Sequence, residues 1–459
     1  MPYFVFQEVE SAIPLFLIQV VITLVLTRIL GKILFYIKQP QVIGEMIGGI
    51  LMGPSLFGMI PGYTNSIWPT WSLNTFTVVA TIGLIFFMFL MGVQVEPKTF
   101  RKVYKRSFPI ALASIVFPFA VGIGASYWLY DYNLHVPDPP SNSNRTGFVL
   151  FIGTSLSFTA FPVLASVLQA RGLLETTIGV QSLSMAAVND LLAWCLLALA
   201  SSFVASSDPA TGGYVFLLSI AYVLIMLIII RPIMHKIHHY YYRKEDEDNK
   251  YFMVIIFLLL ILSAFTTQII GIHAFFGAFV AGIILPKEEG NLAMKLVPQI
   301  ELITKNFLLP LYFVSSGIQT DIRSLKTGED GGYLVAIFFL AVIVKFVPSC
   351  LLTKLFMKNY PWRYCISVGF LMNTRGLVEL IALNVGLSSH ILSIELFTVF
   401  VLMAILTTLM TSPFLTLFYK KEYDHIHEVV SYRATDIKSE EPEKMQNLGS
   451  KDIQLEGIH

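Results

Sequence analysis

The stretch "SMAAVNDLLAWCLLALA", residues 184–200, decides how this chain must fold. It is apolar enough to lie in a membrane-spanning helix, yet Asn189 and Asp190 stand in its middle. A charge at the centre of a bilayer costs at least about 2.5–3.5 kcal/mol. A carboxylate at this depth is therefore a functional-site hypothesis, and other residues must compensate its charge.

The overall composition is that of a polytopic membrane protein. Of the 459 residues, 55% are hydrophobic and 13% are charged, whereas soluble domains carry about 25% charged residues. The formal net charge of +1 gives no reason to expect a nucleic-acid partner. The three cysteines fall inside apolar segments, which is typical of buried apolar side chains and not of disulfides or metal sites. We expect no cofactor.

Thirteen apolar segments, with a margin of one, are long enough to cross a bilayer at about 20 residues each. They lie at about 11–31, 40–58, 74–94, 107–130, 146–168, 176–204, 213–234, 251–270, 272–286, 299–318, 332–354, 363–386 and 392–418. We therefore predict an all-α polytopic membrane protein with a transmembrane domain over residues 1–420. Residues 421–459 are polar and of mixed charge, and we expect them to form a short disordered cytoplasmic tail.

Basic residues in the loops predict the orientation. Alternate loops, such as "EPKTFRKVYKR" (96–106) and "HKIHHYYYRKEDEDNK" (235–250), hold nearly all of the loop lysines and arginines. Such loops stay on the cytoplasmic side of a membrane. The pattern predicts an outer or lumenal N-terminus and a cytoplasmic C-terminus, and it fits a plasma membrane and an internal membrane equally well.

A weak internal repeat links segments two and nine, in "VIGEMIGGILMGP" (42–54) and "FFGAFVAGIILP" (275–286). Aligned without gaps, the two stretches share two glycine positions: Gly44 with Gly277, and Gly49 with Gly282. The segments are seven apart, and an odd offset reverses the direction of a helix. We therefore predict two inverted repeats, segments one to six and eight to thirteen, with segment seven as the linker.

Segments five and twelve, also seven apart, are both interrupted at mid-depth, by "SFTAFPVLAS" (157–166) and "LMNTRGLVEL" (371–380). Proline removes a backbone donor, and Asn-Thr-Arg-Gly suits an apolar helix poorly. A proline alone is often only a packing kink, but paired interruptions in two halves point to a transporter site. The predicted break residues are Phe161, Pro162, Asn373, Thr374, Arg375 and Gly376.

Asp190 is the deepest carboxylate in the sequence. Burial favours its protonated form, whereas a neighbouring cation favours its charged form. A carboxylate here can hold either a proton or a monovalent metal cation, which is the chemistry of exchange at one site. Asn189 can add an amide oxygen without adding charge. The alternative is a structural aspartate that is hydrogen-bonded to Asn189 or paired with Lys345.

Four further ionisable groups lie inside apolar segments. Lys345 either compensates Asp190 or holds the unwound region, unless it snorkels to the interface. Arg375 and Glu379 stand four residues apart and are expected to pair on one helix face. Glu45 lies near the cytoplasmic end of segment two and is either a gate or an interfacial residue.

Other function classes fit the sequence less well. A cation channel or uniporter, which remains the alternative, needs a ring of carbonyls or charges as a filter, and no such signature is visible. An intramembrane aspartic protease needs two cooperating carboxylates, but Asp190 has no aspartate partner in another apolar segment. A receptor does not require inverted symmetry. We therefore expect a transporter and not an enzyme.

Six stretches in order, covering about residues 10–420, resemble the monovalent cation:proton antiporter-2 family, and within it the plant cation/proton exchangers and fungal potassium/proton antiporters. The stretches are "QPQVIGEMIGGILMGPSLFG" (39–58), "GLIFFMFLMGVQVEP" (83–97), "SFTAFPVLASVL" (157–168), "AAVNDLLAW" (186–194), "HAFFGAFVAGIILP" (273–286) and "MNTRGLVELIALNVG" (372–386).

The resemblance implies a sodium/proton-antiporter fold with two crossed, unwound helices in a core domain. It also implies a separate dimerisation domain, an elevator-like movement of the core and a homodimer, with potassium favoured over sodium. Residue by residue, the broken pair matches Thr159 to Pro162 and Asn373 to Gly376. The ion-binding pair matches Asn189 and Asp190, with Thr159 expected to take part in ion or proton binding as well, and the core lysine matches Lys345.

Three departures from the family pattern matter. Electrogenic relatives carry two aspartates where this chain has Asn189-Asp190. A single carboxylate that exchanges one proton for one monovalent cation predicts electroneutral 1:1 exchange. Some Asn-Asp relatives carry a glutamate where this chain has Met185, which leaves the role of Lys345 open. Plant exchangers also carry a long soluble C-terminal domain, where this chain has only the short tail.

Overall fold

The structure, a computed structural model, describes residues 12–94, 97–136, 139–141, 144–204, 209–243, 249–286 and 292–420. The predicted tail lies outside the described residues. The α-helices of the described ranges are α1 (Ala12–Tyr36), α2 (Gln41–Met52), α3 (Tyr63–Ile67), α4 (Thr70–Gln94), α5 (Pro97–His135), α6 (Arg145–Ser157), α7 (Phe161–Ala170), α8 (Thr177–Val204), α9 (Pro209–Ile225), α10 (Arg231–Arg243), α11 (Asn249–Ile270), α12 (Ala274–Ile284), α13 (Leu292–Ile303), α14 (Leu309–Ile318), α15 (Gly328–Phe356), α16 (Trp362–Leu371), α17 (Leu377–Ser388) and α18 (Ile394–Phe418). These ranges contain no strand, so the all-α class is confirmed.

The described residues contain 10 helical stretches that are long and apolar enough to cross a membrane. They confirm a polytopic membrane protein, but they do not confirm the predicted count of thirteen. The difference has a structural cause. Helix α12 has only 11 residues, one π turn separates α13 from α14, and a break divides α16 from α17.

Two sets of hydrogen bonds mark the opposite ends of the helical bundle. At one end, Arg171 Nε donates to Ser412 Oγ at 2.9 Å, and Ser412 Oγ donates to the carbonyl of Lys38 at 2.8 Å. This end, which joins the α1–α2 turn to the ends of α7 and α18, is called the basic face below. At the other end, the opposite face, Tyr132 of α5 donates to Asp330 of α15 at 2.7 Å.

Both interrupted segments are broken helices, as the sequence predicts. Helix α6 ends at Ser157, and extended backbone at Phe158 and Ala160 leads into α7. Pro162 lies in the first turn of α7, where its missing N–H removes no helical hydrogen bond. Helix α16 ends before Met372, and α17 begins after Gly376.

Glycine contacts bring pairs of helices unusually close together. Helix α2 meets α14 where Gly49 faces Gly317, and α12 meets α4 where Gly282 faces Gly92. A Cβ built on Gly317 would lie 2.6 Å from the Cα of Gly49. No side chain fits such a contact, so small residues set these helix spacings.

We expect Gly317→Ala to lower the free energy of unfolding by about 1–3 kcal/mol, because the added methyl group overpacks the contact with α2. Thermal unfolding of the detergent-purified protein measures the change. The control is Gly332→Ala in α15, where an added Cβ meets nothing within 4 Å. That variant should be neutral or more stable by up to about 1 kcal/mol. Equal melting temperatures for the two variants would contradict the close approach.

Candidate functional site

The two helix breaks lie directly against each other. The backbone N–H of Ala160 donates to the carbonyl of Thr374 at 2.9 Å, and Thr159 Oγ1 donates to the carbonyl of Met372 at 2.8 Å. Ala160, Thr159 and Thr374 are all buried. The broken helices therefore cross, and each break satisfies polar backbone groups that the other exposes.

Asp190 lies at the midpoint of α8 and faces the start of α7. The N–H of Phe161, the first residue of α7, points at the carboxylate, 3.3 Å from Oδ2 and 3.5 Å from Oδ1. The first N–H groups of a helix have no partner within the helix, and this end carries a partial positive charge. The break in segment five thus supplies a positive helix end to a carboxylate that is only 5% exposed.

Asn189 belongs to the same polar cluster. Its Nδ2 donates to Ser114 Oγ of α5 at 2.9 Å and to Thr159 Oγ1 at 3.3 Å. Sequence reasoning missed Ser114, because a lone serine in an apolar helix gives no signal of its own. The cluster therefore draws on α5, on α8 and on the first break.

Lys345 holds the unwound segment. Its Nζ donates to Thr159 Oγ1 at 2.7 Å, and the residue is fully buried, so it does not snorkel. The ion pairs within 4.0 Å among the described residues do not join Lys345 to Asp190. Thr159 is therefore the side chain that connects Lys345, Asn189 and the second break.

Arg375 caps the end of α6. Its guanidinium donates to the carbonyls of Ser155 and Leu156, at 2.8 Å and 3.0 Å. These carbonyls belong to the last turn before the break, which has no helical partners and carries a partial negative charge. Thr408 of α18 holds the backbone of Arg375, since its hydroxyl bonds both the N–H and the carbonyl at 2.9 Å. Thr408 is a second residue that sequence reasoning missed.

Glu379 completes the arrangement in the first turn of α17. It accepts a hydrogen bond from Arg375 Nη1 at 3.1 Å, and both side chains are fully buried. All four half-helix ends at the breaks thus have a polar or charged side chain beside them: α6 faces Arg375, α7 faces Asp190, α16 faces Thr159, and α17 carries Glu379 in its first turn. Glu379 is paired with Arg375, whereas no basic side chain among the described residues lies within 4.0 Å of the Asp190 carboxylate.

Asn373, in the second break, has a carbonyl oxygen with no hydrogen-bond partner. Its Nδ2 donates to the carbonyl of Gly369 at 3.0 Å, while Oδ1 is buried and makes no hydrogen bond. A buried acceptor without a partner is costly. Such an oxygen is suited to accept a hydrogen bond from a donor, or to bind a cation, that enters the site.

A cavity of about 390 Å³ leads from the basic face towards the first break. It is bounded by α2, α4, α7 and α14, and its lining includes Glu45, Phe161 and Pro162. Glu45 is only 3% exposed and accepts a hydrogen bond from Gln41 at 3.1 Å. Glu45 is thus a buried lining residue and not an interfacial one, and it shares its cavity with the helix end that faces Asp190.

A polytopic helical protein with two broken helices crossing in its core has the architecture of secondary transporters. The chain belongs to the sodium/hydrogen exchanger family. Residues 20–420 match the family model described as the transmembrane sodium/hydrogen exchanger. The family resemblance read from the six sequence stretches is therefore confirmed.

Three relatives show how far the similarity extends. The chain is 42% identical to Cation/H(+) antiporter 17 of Arabidopsis thaliana, over 90% of this chain and 49% of that protein. It is 33% identical to K(+)/H(+) antiporter 1 of Saccharomyces cerevisiae, over 93% of this chain and 49% of that protein. It is 36% identical to Na(+)/H(+) antiporter NhaS4 of Synechocystis, over 88% of this chain and 97% of that protein. The chain thus spans about half the length of the plant and yeast relatives.

The fold is similar to that of a solved structure, the sodium proton antiporter MjNhaP1 from Methanocaldococcus jannaschii. The TM-score is 0.58 at 15% sequence identity, over 89% of this chain and 96% of that chain. At this identity the likeness concerns the fold alone. It agrees with the sodium/proton-antiporter-like fold that the sequence predicts.

We expect Arg375→Met to lower the free energy of unfolding by about 3–5 kcal/mol, because it leaves Glu379 as a buried, unpaired charge. The double variant Arg375→Met/Glu379→Leu should recover part of this loss, which a double-mutant cycle quantifies.

The matched control is the more exposed pair Arg323–Asp321, whose atoms lie 3.3 Å apart. Arg323→Met should cost less than about 1 kcal/mol. If the two arginine variants lost the same stability, the capping role of Arg375 would be wrong.

Proposed function

We propose that this protein is a secondary antiporter that exchanges monovalent cations for protons through Asp190. The observation that carries the proposal is the buried carboxylate of Asp190. It faces the N-terminus of α7 and has no ion-pair partner within 4.0 Å among the described residues. The relatives are named as cation/H(+) antiporters, which supports the same activity.

The chemistry follows from competition at one carboxylate. With a proton bound, Asp190 is neutral and can lie in apolar surroundings at little cost. When the proton leaves, the charge needs compensation, which the end of α7 supplies in part and a bound cation supplies in full. The amide oxygen of Asn189 adds a neutral ligand next to Asp190 in the chain, while the Thr159 hydroxyl, which donates to Met372 and accepts from Asn189 and Lys345, would have to give up one of these bonds to contact the cation. The two occupants therefore exclude each other, which couples their movements.

The charge balance predicts the stoichiometry. One carboxylate exchanges one positive charge for another, so we propose electroneutral 1:1 exchange. Lys345 stays hydrogen-bonded to Thr159 in this scheme and serves to hold the site.

We favour K⁺ over Na⁺ as the transported cation. Na⁺ costs more to dehydrate than K⁺, and a site with one carboxylate and otherwise neutral oxygens offsets less of that larger cost. The yeast relative is named for K⁺, while the Synechocystis relative is named for Na⁺.

We further propose that segments one to six (α1–α8) and eight to thirteen (α11–α18) form inverted repeats. The packing of the aligned glycines supports this. Gly44 of α2 packs on α1, and its counterpart Gly277 of α12 packs on α11. Gly49 of α2 contacts α14, and its counterpart Gly282 contacts α4. Because α4 and the α13–α14 segment are also seven segments apart, each contact has an equivalent in the other repeat.

Two cavities support alternating access. The basic-face cavity is bounded by α2, α4, α7 and α14. A second cavity of about 240 Å³, near the opposite face, is bounded by the start of α12 and by α14, α17 and α4. The repeat relation exchanges these two sets of helices. We propose that a core with both broken helices moves like an elevator past α2, α4, α12 and α14, so that Asp190 meets one cavity at a time.

Orientation and assembly follow the same reasoning. The basic face carries Lys38 and Arg171, and we propose that it is cytoplasmic, which leaves the N-terminus outside or in a lumen. A homodimer is proposed from the family resemblance. The basic-face cavity then opens towards the cytoplasm, with Glu45 as its gate.

Asp190→Asn should abolish cation-driven proton movement, because an amide cannot exchange a proton for a cation. The assay uses purified protein in liposomes with a trapped pH dye, to which K⁺ and then Na⁺ are added. The control is Asp131→Asn, at the exposed end of α5, which should behave as wild type. Proton movement that persists in Asp190→Asn refutes the mechanism, and cation flux without proton coupling in the wild type favours a channel.

Glu45→Gln should raise the KM for cation supplied at the basic face severalfold, with the maximal rate little changed, because its carboxylate concentrates cations in the cavity. Initial rates are measured in liposomes sorted by protein orientation. Glu329→Gln, at the exposed start of α15, is the matched control and should leave this KM unchanged. An unaltered KM in Glu45→Gln would exclude it as the entry gate.

A further inference from the structure

The cavity near the opposite face has a group of neutral oxygen atoms in an otherwise largely apolar lining. Its volume of about 240 Å³ far exceeds the ~30 Å³ that one water takes up in the liquid. In its wall, two hydroxyl groups of α14 are hydrogen-bonded directly to the amide of Asn384 in α17. His273 and Tyr312 are the titratable side chains among the described lining residues, which include no carboxylate.

Asn384 presents a buried acceptor in this cavity. Its Nδ2 donates to Tyr312 OH at 3.2 Å and to Ser316 Oγ at 3.0 Å. Both amide hydrogens therefore have partners on α14. The Oδ1 atom is buried and makes no hydrogen bond. An acceptor of this kind calls for a specific explanation, such as a bound ion or water.

The neighbouring hydroxyls add further oxygen ligands. Tyr312, Ser315 and Ser316 are at most 7% exposed. Ser315 Oγ lies 3.2 Å from Thr77 Oγ1 of α4. Tyr312 and Ser316 each accept one hydrogen bond from Asn384, so each hydroxyl oxygen keeps a lone pair. Alkali cations are hard ions that prefer such oxygen ligands, as other hard cations do.

We propose that the oxygens of Tyr312, Ser315, Ser316 and Asn384 form a second binding site for a monovalent cation. The site is separate from Asp190, because Ser316 and Asn384 lie within about one turn of the ends of α14 and α17, whereas Asp190 lies mid-way along α8. With neutral ligands only, the site binds a cation weakly and without releasing a proton. A cation held here bridges α17 to α14 at the mouth of the opposite-face cavity.

The test uses the full-length Asp190→Asn protein, in which the carboxylate site is neutralised. Thermal unfolding is measured as KCl replaces choline chloride at constant ionic strength. We expect a saturable rise in melting temperature. Adding Asn384→Leu or, separately, Ser316→Ala should weaken K⁺ binding and raise the half-saturating K⁺ concentration at least tenfold. Adding Thr81→Val should change nothing, because the Thr81 hydroxyl already donates to the carbonyl of Thr77.

Two results would overturn the second site: no K⁺-dependent stabilisation of Asp190→Asn, or stabilisation that persists in both cavity variants. Ser316→Ala removes a single oxygen, so it serves if Asn384→Leu fails to fold. The outcome does not depend on exchange at Asp190, because that carboxylate is absent throughout. Transport by the wild-type protein in liposomes tests the proposed exchange independently.

Discussion

A carboxylate in the middle of a membrane must be compensated by groups that the membrane itself lacks, and the rest of this structure depends on that constraint. Asp190 meets the start of α7 only because the preceding helix stops at Ser157 and leaves backbone donors exposed. Breaking a helix creates a carbonyl end as well, which Arg375 caps. One buried carboxylate thus brings with it a broken helix, a buried arginine and a glutamate that pairs with that arginine.

The two breaks differ in how their charges are held. At the second break, Arg375 and Glu379 form a fully buried ion pair, so this end of the arrangement is neutral and fixed. At the first break, the lysine donates to Thr159 and not to the carboxylate. The first break therefore leaves Asp190 without an ion-pair partner within 4.0 Å among the described residues, and this is the carboxylate that we propose exchanges a proton for a cation. The buried ion pair and the carboxylate proposed to exchange its ligand thus lie at the two breaks of one crossing.

Much of this arrangement could be predicted from the sequence. Pro162 and the Asn-Thr-Arg-Gly run gave the positions of the breaks, because these residues are unfavourable inside apolar helices. The i, i+4 spacing gave the Arg375–Glu379 pair. Ser114, Thr408 and Asn384 could not be predicted, since nothing in the local sequence distinguishes them from other polar residues of their helices and the role of each depends on a neighbour far along the chain. The count of thirteen crossings depends on short and broken helices, for which length is a poor guide.

The two cavities share α4 and α14 as walls. In the proposed movement, the core withdraws α7 and widens one cavity. It must carry α17 with it, because hydrogen bonds between the two breaks join α7 to α17. In the movement that we propose, the shared walls and the joined helices α7 and α17 make one cavity close as the other opens. A continuous water path from one compartment to the other would then require the crossing itself to separate, so the same contacts that hold the site also guard against leakage.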